Sequence, residues 1–263
     1  MGDMDIKGDA FTEAELVTLG LVGLSHFTSM LVEDHAVRGW SLHLERLQRD
    51  CRRIFATELD LDHVRDLVLD AAPADGAPVV MRLTVFDPAL QLGHPGAPAH
   101  PRTLITMRPA PPPVSSPLRL QSMIASRDQP RLKHGGLFAQ LLHRADVQRA
   151  GYDDVLLADR DGTISEAATS NIAVIDHDGR LIWPEADVLA GITMQLLNRV
   201  RDTEVVTKKI AVADLSAYAT VVATNAAVGV RPIASIDDKA LPIDDELVTR
   251  LRADYESIPP QSI

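Results

Sequence analysis

Three kinds of side chain between Lys133 and Thr193 could together do chemistry on one cofactor. Lys133 supplies a primary amine, which can attack an aldehyde carbon. Glu166 supplies a carboxylate at the head of a run of small residues that ends at Asn171, and a carboxylate can keep a proton on a basic ring nitrogen. Gly191-Ile192-Thr193 begins a predicted helix, and the N-terminus of a helix binds phosphate oxygens. The set therefore suits a cofactor that carries an aldehyde, a ring nitrogen and a phosphate.

A predicted helix follows the lysine. Apolar residues from Leu137 to Val147 recur at helical spacing and stop before Gly151, a residue type that commonly ends helices. Lys133 is predicted to lead this helix. Because the N-terminus of a helix disfavours a positive charge, a chemical role explains Lys133 better than an ordinary surface role does.

The remaining patterns predict two blocks of strands and helices. Strands are predicted over residues 26–32, 79–86, 103–107, 118–125, 221–224 and 233–236. Hairpin turns are predicted at Asp161-Gly162 and Asp178-Gly179. Helices are predicted after the capping box Thr12–Glu15, over residues 42–55, after the cap at Asp60, and over residues 245–255. This order is typical of an α+β fold.

A proline-rich stretch marks the best candidate for a linker. It reads Pro109-Ala-Pro-Pro-Pro113 and continues to Pro117. Such segments are stiff and cannot join the interior of a sheet. We therefore predict a smaller N-terminal α+β domain over residues 1–112 and a larger C-terminal cofactor-binding domain over residues 113–263.

Composition narrows the classes of function. The chain has 263 residues, 46% of them apolar, which is enough for a sizeable core. A net charge of −11 argues against a nucleic-acid partner or an anionic membrane surface. Cys51 is the only cysteine, which excludes an intramolecular disulfide, and its place in an amphipathic helix predicts a small core residue. His94 and His100 lie in a predicted loop without further ligands nearby, so no metal is expected.

Targeting signals are not evident in the sequence. The start MGDMDIKGDAF is acidic and lacks the apolar core of a signal peptide. No stretch approaches the roughly 20 apolar residues that span a bilayer. We therefore expect a cytoplasmic protein with no membrane association.

Four markers, in this order, resemble the fold type IV enzymes that use pyridoxal phosphate. This family includes the branched-chain and D-amino acid aminotransferases and aminodeoxychorismate lyase. The markers, each matched in order and spacing, are His26-Phe-Thr-Ser-Met30 with Leu42-His-Leu-Glu-Arg-Leu47; Lys133-His134 with Ala150-Gly-Tyr-Asp-Asp154 and Glu166–Asn171; Leu189-Ala-Gly-Ile-Thr193; and Thr224-Asn-Ala-Ala-Val-Gly-Val-Arg-Pro232. The resemblance covers nearly the whole chain and implies a two-domain α+β fold with the cofactor in the interdomain cleft.

The resemblance implies a role for each matched residue. Lys133 would form a Schiff base with the cofactor aldehyde and later carry a proton. Glu166 would meet the pyridine nitrogen. The Arg46 guanidinium and the helix N-terminus at Ile192 and Thr193 would bind the phosphate. The loop of Asn225 and Ala226 would meet the phosphate or the substrate carboxylate through its main-chain amides. Candidate substrate residues are Ser29, Arg82 and Ala227, with Arg82 a possible partner of a substrate carboxylate or, equally, a solvent-facing side chain.

Departures from the family pattern bear on the substrate. Branched-chain enzymes continue from the lysine to an Asn-Tyr pair, where this chain has Gly136-Leu137-Phe138. Phe27-Thr28-Ser29 and Asn225-Ala226 are closer to the lyases. Three hypotheses follow: a class IV aminotransferase acting on an amino acid or amine, a 4-amino-4-deoxychorismate lyase that gives 4-aminobenzoate and pyruvate, or a catalytically silent binding protein. The aminotransferase ranks first because that activity dominates the family, and the resemblance also implies a homodimer.

Overall fold

The computed structural model describes residues 5–110, 116–201 and 205–263. The chain divides into two compact units. The first comprises Met1–Ala110, Leu132–Gly136 and Pro260–Ile263, and the second comprises Pro111–Arg131 and Leu137–Pro259. The middle of the predicted linker, residues 111–115, lies outside the described residues. The predicted domain boundary at residue 112 stays a prediction, and the first unit differs from it by taking in the short segment that carries Lys133.

The strands of the first unit are β1 (Asp5–Gly8), β2 (Ser25–Val32), β3 (Ala36–Val37), β4 (Val79–Phe86), β5 (Arg102–Pro109) and, from the end of the chain, β15 (Gln261–Ser262). Four of them form an antiparallel sheet with the order β1-β5-β4-β2, and β15 pairs with β3 in a separate two-stranded sheet. Its helices are α1 (Glu13–Val22), α2 (Trp40–Phe55) and α3 (Leu61–Ala71). The register sets Ser29 directly opposite Arg82, so that these two side chains share a face of the sheet.

Local signals in the sequence explain the helices of this unit. Thr12 and Glu15 form the predicted capping box at the start of α1. The Asp60 side chain accepts hydrogen bonds from Asp62 N and His63 N at the start of α3. The apolar positions of α2, among them Leu44, Leu47 and the buried thiol Cys51, pack in a core with Met30, Met81 and Ile105 of the sheet. Burial raises the pKa of Cys51 to about 11, as expected of a core thiol.

The second unit contains a sheet that closes on itself. Its strands are β6 (Leu118–Ile124), β7 (Asp154–Ala158), β8 (Ile164–Ala167), β9 (Asn171–Ile175), β10 (Leu181–Pro184), β11 (Val206–Lys208), β12 (Thr220–Asn225), β13 (Gly229–Ile236) and β14 (Lys239–Ala240). Their order is β11-β10-β9-β12-β13-β6-β7-β8, with β14 beside β13. β8 also pairs with β9 through Glu166 and Asn171, and this pairing closes the ring.

Helices and tight turns complete the second unit. The helices are α4 (Phe138–Arg149), α5 (Ile192–Val200), α6 (Asp245–Glu256) and a 3-10 helix (Val212–Ala217). The two predicted hairpins are present, and their turn glycines Gly162 and Gly179 have φ angles of 79° and 80°, which other residues rarely adopt. One core lies inside the ring around Leu156, Ile164 and Val221, and α5 and α6 pack on another around Trp183. No helix in the described ranges is long and apolar enough to cross a membrane.

Candidate functional site

Lys133 lies in a short extended segment that pairs with β2. Phe27 N donates to Lys133 O at 2.9 Å, Gly135 N donates to Ser25 O at 2.7 Å, and His134 forms an antiparallel bridge with His26. The helix after the lysine begins only at Phe138, so the prediction that Lys133 leads a helix is wrong. The edge of β2 supplies hydrogen-bond partners for this segment, and pairing in that edge overrides the helical pattern that follows.

Two cationic side chains, those of Lys133 and Arg82, lie over the ring of Phe27. The Lys133 Nζ atom lies 4.9 Å from the centroid of the Phe27 ring, and the Arg82 Cζ atom lies 3.6 Å from it. Arg82 Nε also donates to Thr84 Oγ1 at 3.1 Å, and burial lowers the pKa of Arg82. Both cations stay within reach of one aromatic ring, so an anionic group next to the lysine amine would be stabilised there.

Arg46 belongs to a buried polar network on α2. Its Nη2 donates to Thr28 Oγ1 at 2.5 Å, and Thr28 Oγ1 lies 2.6 Å from His43 Nδ1. Burial, with Arg46 and Lys133 adding to it, holds the pKa of His43 well below its usual value, so the ring is neutral and can accept the Thr28 proton. Burial also lowers the pKa of Arg46 to about 10, which leaves the guanidinium charged at neutral pH. The helix thus presents a fixed, buried cation.

Glu166 is buried at the point where the ring of strands closes. Arg127 Nη1 donates to Glu166 Oε1 at 3.2 Å, and both side chains are over nine-tenths buried. Leu189 N donates to the other carboxylate oxygen at 3.4 Å. An arginine partner stabilises the ionised form of a buried carboxylate. The alternative of a solvated carboxylate after a hairpin is therefore wrong for Glu166.

The N-terminus of α5 is held against β9 by an asparagine. Asn171 Nδ2 donates to Leu189 O at 2.8 Å, and a Cβ atom on Gly191 would come within 2.0 Å of Asn171 Oδ1, so a side chain at position 191 would displace this asparagine. The first N–H groups of α5, which include those of Ile192 and Thr193, have no acceptor within the helix. Thr193 Oγ1 is buried and has no hydrogen-bond partner among the described residues.

Asn225 shapes the turn after β12. Its Oδ1 accepts from Ala227 N and Val228 N at 3.0 Å each, and its Nδ2 donates to Ser170 Oγ at 3.0 Å. The Asn225 side chain therefore holds the turn that contains Ala226. Because Ala227 N is already bonded to Asn225, it is a weaker candidate for binding a ligand than sequence reasoning suggested.

The structure thus assembles the predicted residues in two sets. Lys133, Arg46, Ser29 and Arg82 belong to the first unit, and Glu166, Ile192, Thr193, Asn225, Ala226 and Ala227 belong to the second. Asp50 also belongs to the first set, because its Oδ2 accepts from Lys133 N at 3.1 Å. These contacts add four residues that the sequence did not single out by role: Phe27, Asp50, Arg127 and Asn171. Of these, Arg127 lies in an irregular segment, where no periodic pattern marks it.

Residues 25–236 match the family described as amino-transferase class IV. The chain belongs to this family. The match contains all ten of the predicted site residues and confirms the family that the four sequence markers indicated.

Similar proteins share this fold and carry the names of aminotransferases and of a lyase. A probable branched-chain-amino-acid aminotransferase of Rickettsia felis (strain ATCC VR-1525 / URRWXCal2) is 32% identical over 122 residues, which are 44% of this chain and only 42% of that protein. The PLP-bound form of a hypothetical aminotransferase from Mycobacterium tuberculosis has a TM-score of 0.81 at 16% identity, over 96% of this chain and 98% of that one. A 4-amino-4-deoxychorismate lyase from Pseudomonas aeruginosa has a TM-score of 0.79 at 25% identity, over 95% and 97%. The fold predicted for this class IV chain, the mixed α and β fold of type IV, is confirmed.

The donor set of this class IV chain suits pyridoxal phosphate, which the family match also supports. A buried hydroxyl without a partner among the described residues and the free N–H groups of a helix N-terminus suit phosphate oxygens. The Glu166 carboxylate suits a protonated ring nitrogen, and the Lys133 amine suits an aldehyde. The position of the cofactor in a cleft between domains stays a prediction.

Proposed function

We propose that this chain is a pyridoxal-phosphate-dependent aminotransferase that acts on a substrate with a carboxylate next to its amine. The observation that carries the proposal is the pair of cations on Phe27: Lys133 and Arg82 lie on the same ring in a chain of the class IV family. An amine that can bind an aldehyde and a guanidinium that can bind a carboxylate are what an α-amino acid and its keto acid require.

Each residue of the chain has a defined task in this proposal. Lys133 would hold the cofactor through its amine and then move a proton at the substrate Cα. Glu166, which accepts a hydrogen bond from Arg127, would lie against the ring nitrogen and stabilise its protonated form. Arg46, Thr193 and the first N–H groups of α5 would bind the phosphate. When bound, pyridoxal phosphate draws electrons from the substrate Cα.

Arg82 and Ser29 are the proposed specificity residues. Arg82 on β4 and Ser29 on β2 stand directly opposite each other, and Arg82 Nε donates to Thr84 Oγ1, so the Nη groups take no part in that hydrogen bond. Arg82→Gln should raise KM for substrates with a carboxylate and leave KM for simple amines unchanged. Arg108→Gln, an exposed arginine on β5, is the matched control. Equal KM changes for both substrate types would remove Arg82 from carboxylate binding.

Borohydride trapping tests the role of Lys133 without relying on turnover. The protein is incubated with pyridoxal phosphate, reduced, digested and analysed by mass spectrometry. We expect the cofactor mass on the Lys133 peptide, and we expect Lys133→Met to abolish it, while Lys208→Met, an exposed lysine on β11, retains it. Cofactor trapped on another lysine in the wild type would contradict the assignment.

A second candidate function is cleavage of aminodeoxychorismate. It is favoured by the 25% identity to the Pseudomonas aeruginosa lyase and by Ala226, where aminotransferases often carry a hydroxyl. The discriminating assay supplies aminodeoxychorismate with no keto acid. Pyruvate release under those conditions supports the lyase, and strict dependence on a keto acid acceptor supports the aminotransferase.

We further propose that the chain works as a homodimer in the cytoplasm. The resemblance supports a dimer because members of this family complete each active site with residues of the partner subunit. Sedimentation of the active protein should give twice the mass of the 263-residue chain. A monomer that still turns over substrate would contradict this part of the proposal.

A further inference from the structure

Asp50 is a fully buried carboxylate on α2, one helical turn after Arg46. Its Oδ1 accepts from Arg49 Nε at 2.9 Å and from Arg49 Nη2 at 2.7 Å, and its Oδ2 accepts from the main-chain N–H of Lys133 at 3.1 Å. A buried carboxylate is unfavourable unless such partners compensate for lost water. The contact with Lys133 therefore has a structural cost that a neutral residue would avoid.

The main chain of Lys133 is held on both sides. Its carbonyl accepts from Phe27 N, and its N–H donates to Asp50. The neighbouring Gly135 packs so closely on Ser25 that a Cβ atom would come within 2.0 Å of Ser25 Oγ. With the peptide groups fixed on both sides, the Lys133 side chain starts from a defined position beside Phe27.

We propose that Asp50 is a positioning residue for Lys133, which ties the helix that carries Arg46 to the segment that carries the reactive amine. The proposal rests on the proposed function, since it assumes that the Lys133 amine binds the cofactor. Asp50 acts through the main chain and is not itself expected to touch the cofactor. A small displacement of a reacting group lowers rates or affinities by large factors, which explains why a charged anchor would be kept here.

The charge of Asp50 also bears on its neighbours. It raises the pKa of Arg46 and thereby offsets part of the lowering that burial and Arg49 cause. It raises the pKa of His26 in the same sense, although burial still holds that pKa at about 4. The effect on Arg46 favours its charged form. A test of positioning must therefore distinguish a change at the Lys133 amine from a change in phosphate binding by Arg46.

Two ligands distinguish an effect on the Lys133 amine from an effect on the phosphate-binding residues. Pyridoxal phosphate reaches both the phosphate residues and the Lys133 amine, whereas pyridoxine 5'-phosphate has an alcohol in place of the aldehyde and reaches only the former. We expect Asp50→Asn to weaken binding of pyridoxal phosphate by about tenfold more than binding of the alcohol. Asp87→Asn is the matched control, because Asp87 is a buried carboxylate of the same unit that accepts from the main-chain N–H groups of Ala89 and His100.

Equal weakening for both ligands, or no weakening for either, would overturn the proposal. Hydrogen exchange gives a readout that does not depend on the cofactor or on activity. In the wild-type protein without cofactor, the Lys133 amide should exchange slowly, and in Asp50→Asn it should exchange at least about tenfold faster. Fast exchange in the wild type would overturn the proposal even if the variant failed to fold. If wild-type Lys133 were protected but not trapped by borohydride, the proposed function would fail while the contact itself stood.

Discussion

Replacing Thr193 with valine should have opposite effects on the free protein and on cofactor binding. Thr193 is 1% exposed, and its hydroxyl has no hydrogen-bond partner among the described residues. A buried hydroxyl without a partner destabilises a protein by about 1–3 kcal/mol, and valine has the same shape without the hydroxyl. Since threonine and valine have similar helix propensities, we expect Thr193→Val to raise the free energy of unfolding of the cofactor-free protein by about 1 kcal/mol.

The same substitution should weaken binding of pyridoxal phosphate. If the Thr193 hydroxyl donates to a phosphate oxygen, the lost hydrogen bond to a charged group corresponds to about 1.5–3 kcal/mol. That is a loss of affinity of roughly tenfold to a hundredfold. Excess cofactor should restore most of the turnover, because the phosphate lies away from the bond that changes.

Thr220→Val separates a site effect from a packing effect. Thr220 is also fully buried, and its hydroxyl likewise lacks a partner among the described residues, but it lies at the start of β12. It should stabilise the cofactor-free protein without changing cofactor affinity. Cofactor affinity is measured by titration of the cofactor absorbance. Stability is measured by urea unfolding followed by tryptophan fluorescence in a Trp40→Phe background. In that background the remaining Trp183 reports on α5, because its Nε1 donates to Asn198 Oδ1 at 2.8 Å. Unchanged affinity in Thr193→Val, or an equal loss in Thr220→Val, would refute the phosphate role of Thr193.

Three further predictions concern neighbouring parts of the molecule. Arg46→Lys should lower the affinity for pyridoxal phosphate by about tenfold because the planar guanidinium is lost. Arg52→Lys, an exposed change on the same helix, should leave this affinity unchanged. Equal cofactor titration curves for the two variants would exclude Arg46 from phosphate binding. Burial lowers the pKa of His26 to about 4 from about 6.5, so protonation favours the unfolded chain as pH falls from 6.5 to 4. Relative to His26→Leu, the wild type should therefore lose about 3 kcal/mol of unfolding free energy between pH 7 and pH 4, and parallel pH profiles would contradict this. Gly191→Ala should destabilise the protein by about 1–3 kcal/mol in urea unfolding, and the second change Asn171→Ala should remove most of that loss, because the added Cβ meets Asn171 Oδ1; additive losses would show that the clash is not the cause.

Signals that lie within a few residues of one another predicted their elements well. The capping box at Thr12, the cap at Asp60 and the glycines of the two hairpins all form as the sequence indicates. Each depends on a side chain and a main-chain group at most a few positions apart, so a linear reading contains both partners. The bounds of β2, β4 and β6 follow for the same reason, because alternation is a local property.

Interactions between distant residues could not be read in the same way. The helical spacing of the apolar residues after Lys133 predicts a helix start at this lysine, yet its main chain pairs with Phe27, more than one hundred residues earlier. The partners in two buried carboxylate contacts, Arg127 with Glu166 and Asp50 with Lys133, are likewise far apart in the chain. Residue types indicate the candidate reactive groups, whereas the residues that contact those groups can be found only from the fold.

One signal for the missing residues was nevertheless present in α2. His43, Arg46 and Asp50 are spaced by three and four residues, so they share one side of the helix, and they adjoin the apolar residues that face the core. Ionisable residues on a buried helix face are unfavourable unless each finds a partner, and here Thr28, Arg49 and the main chain of Lys133 supply those partners. A core of apolar residues would have been simpler and more stable, so the polar face is best explained by what it holds. α2 carries the buried guanidinium of Arg46 and, one turn later, the carboxylate that binds the Lys133 main chain. In our proposals, one helix therefore sets the position of the phosphate-binding cation relative to the reactive amine.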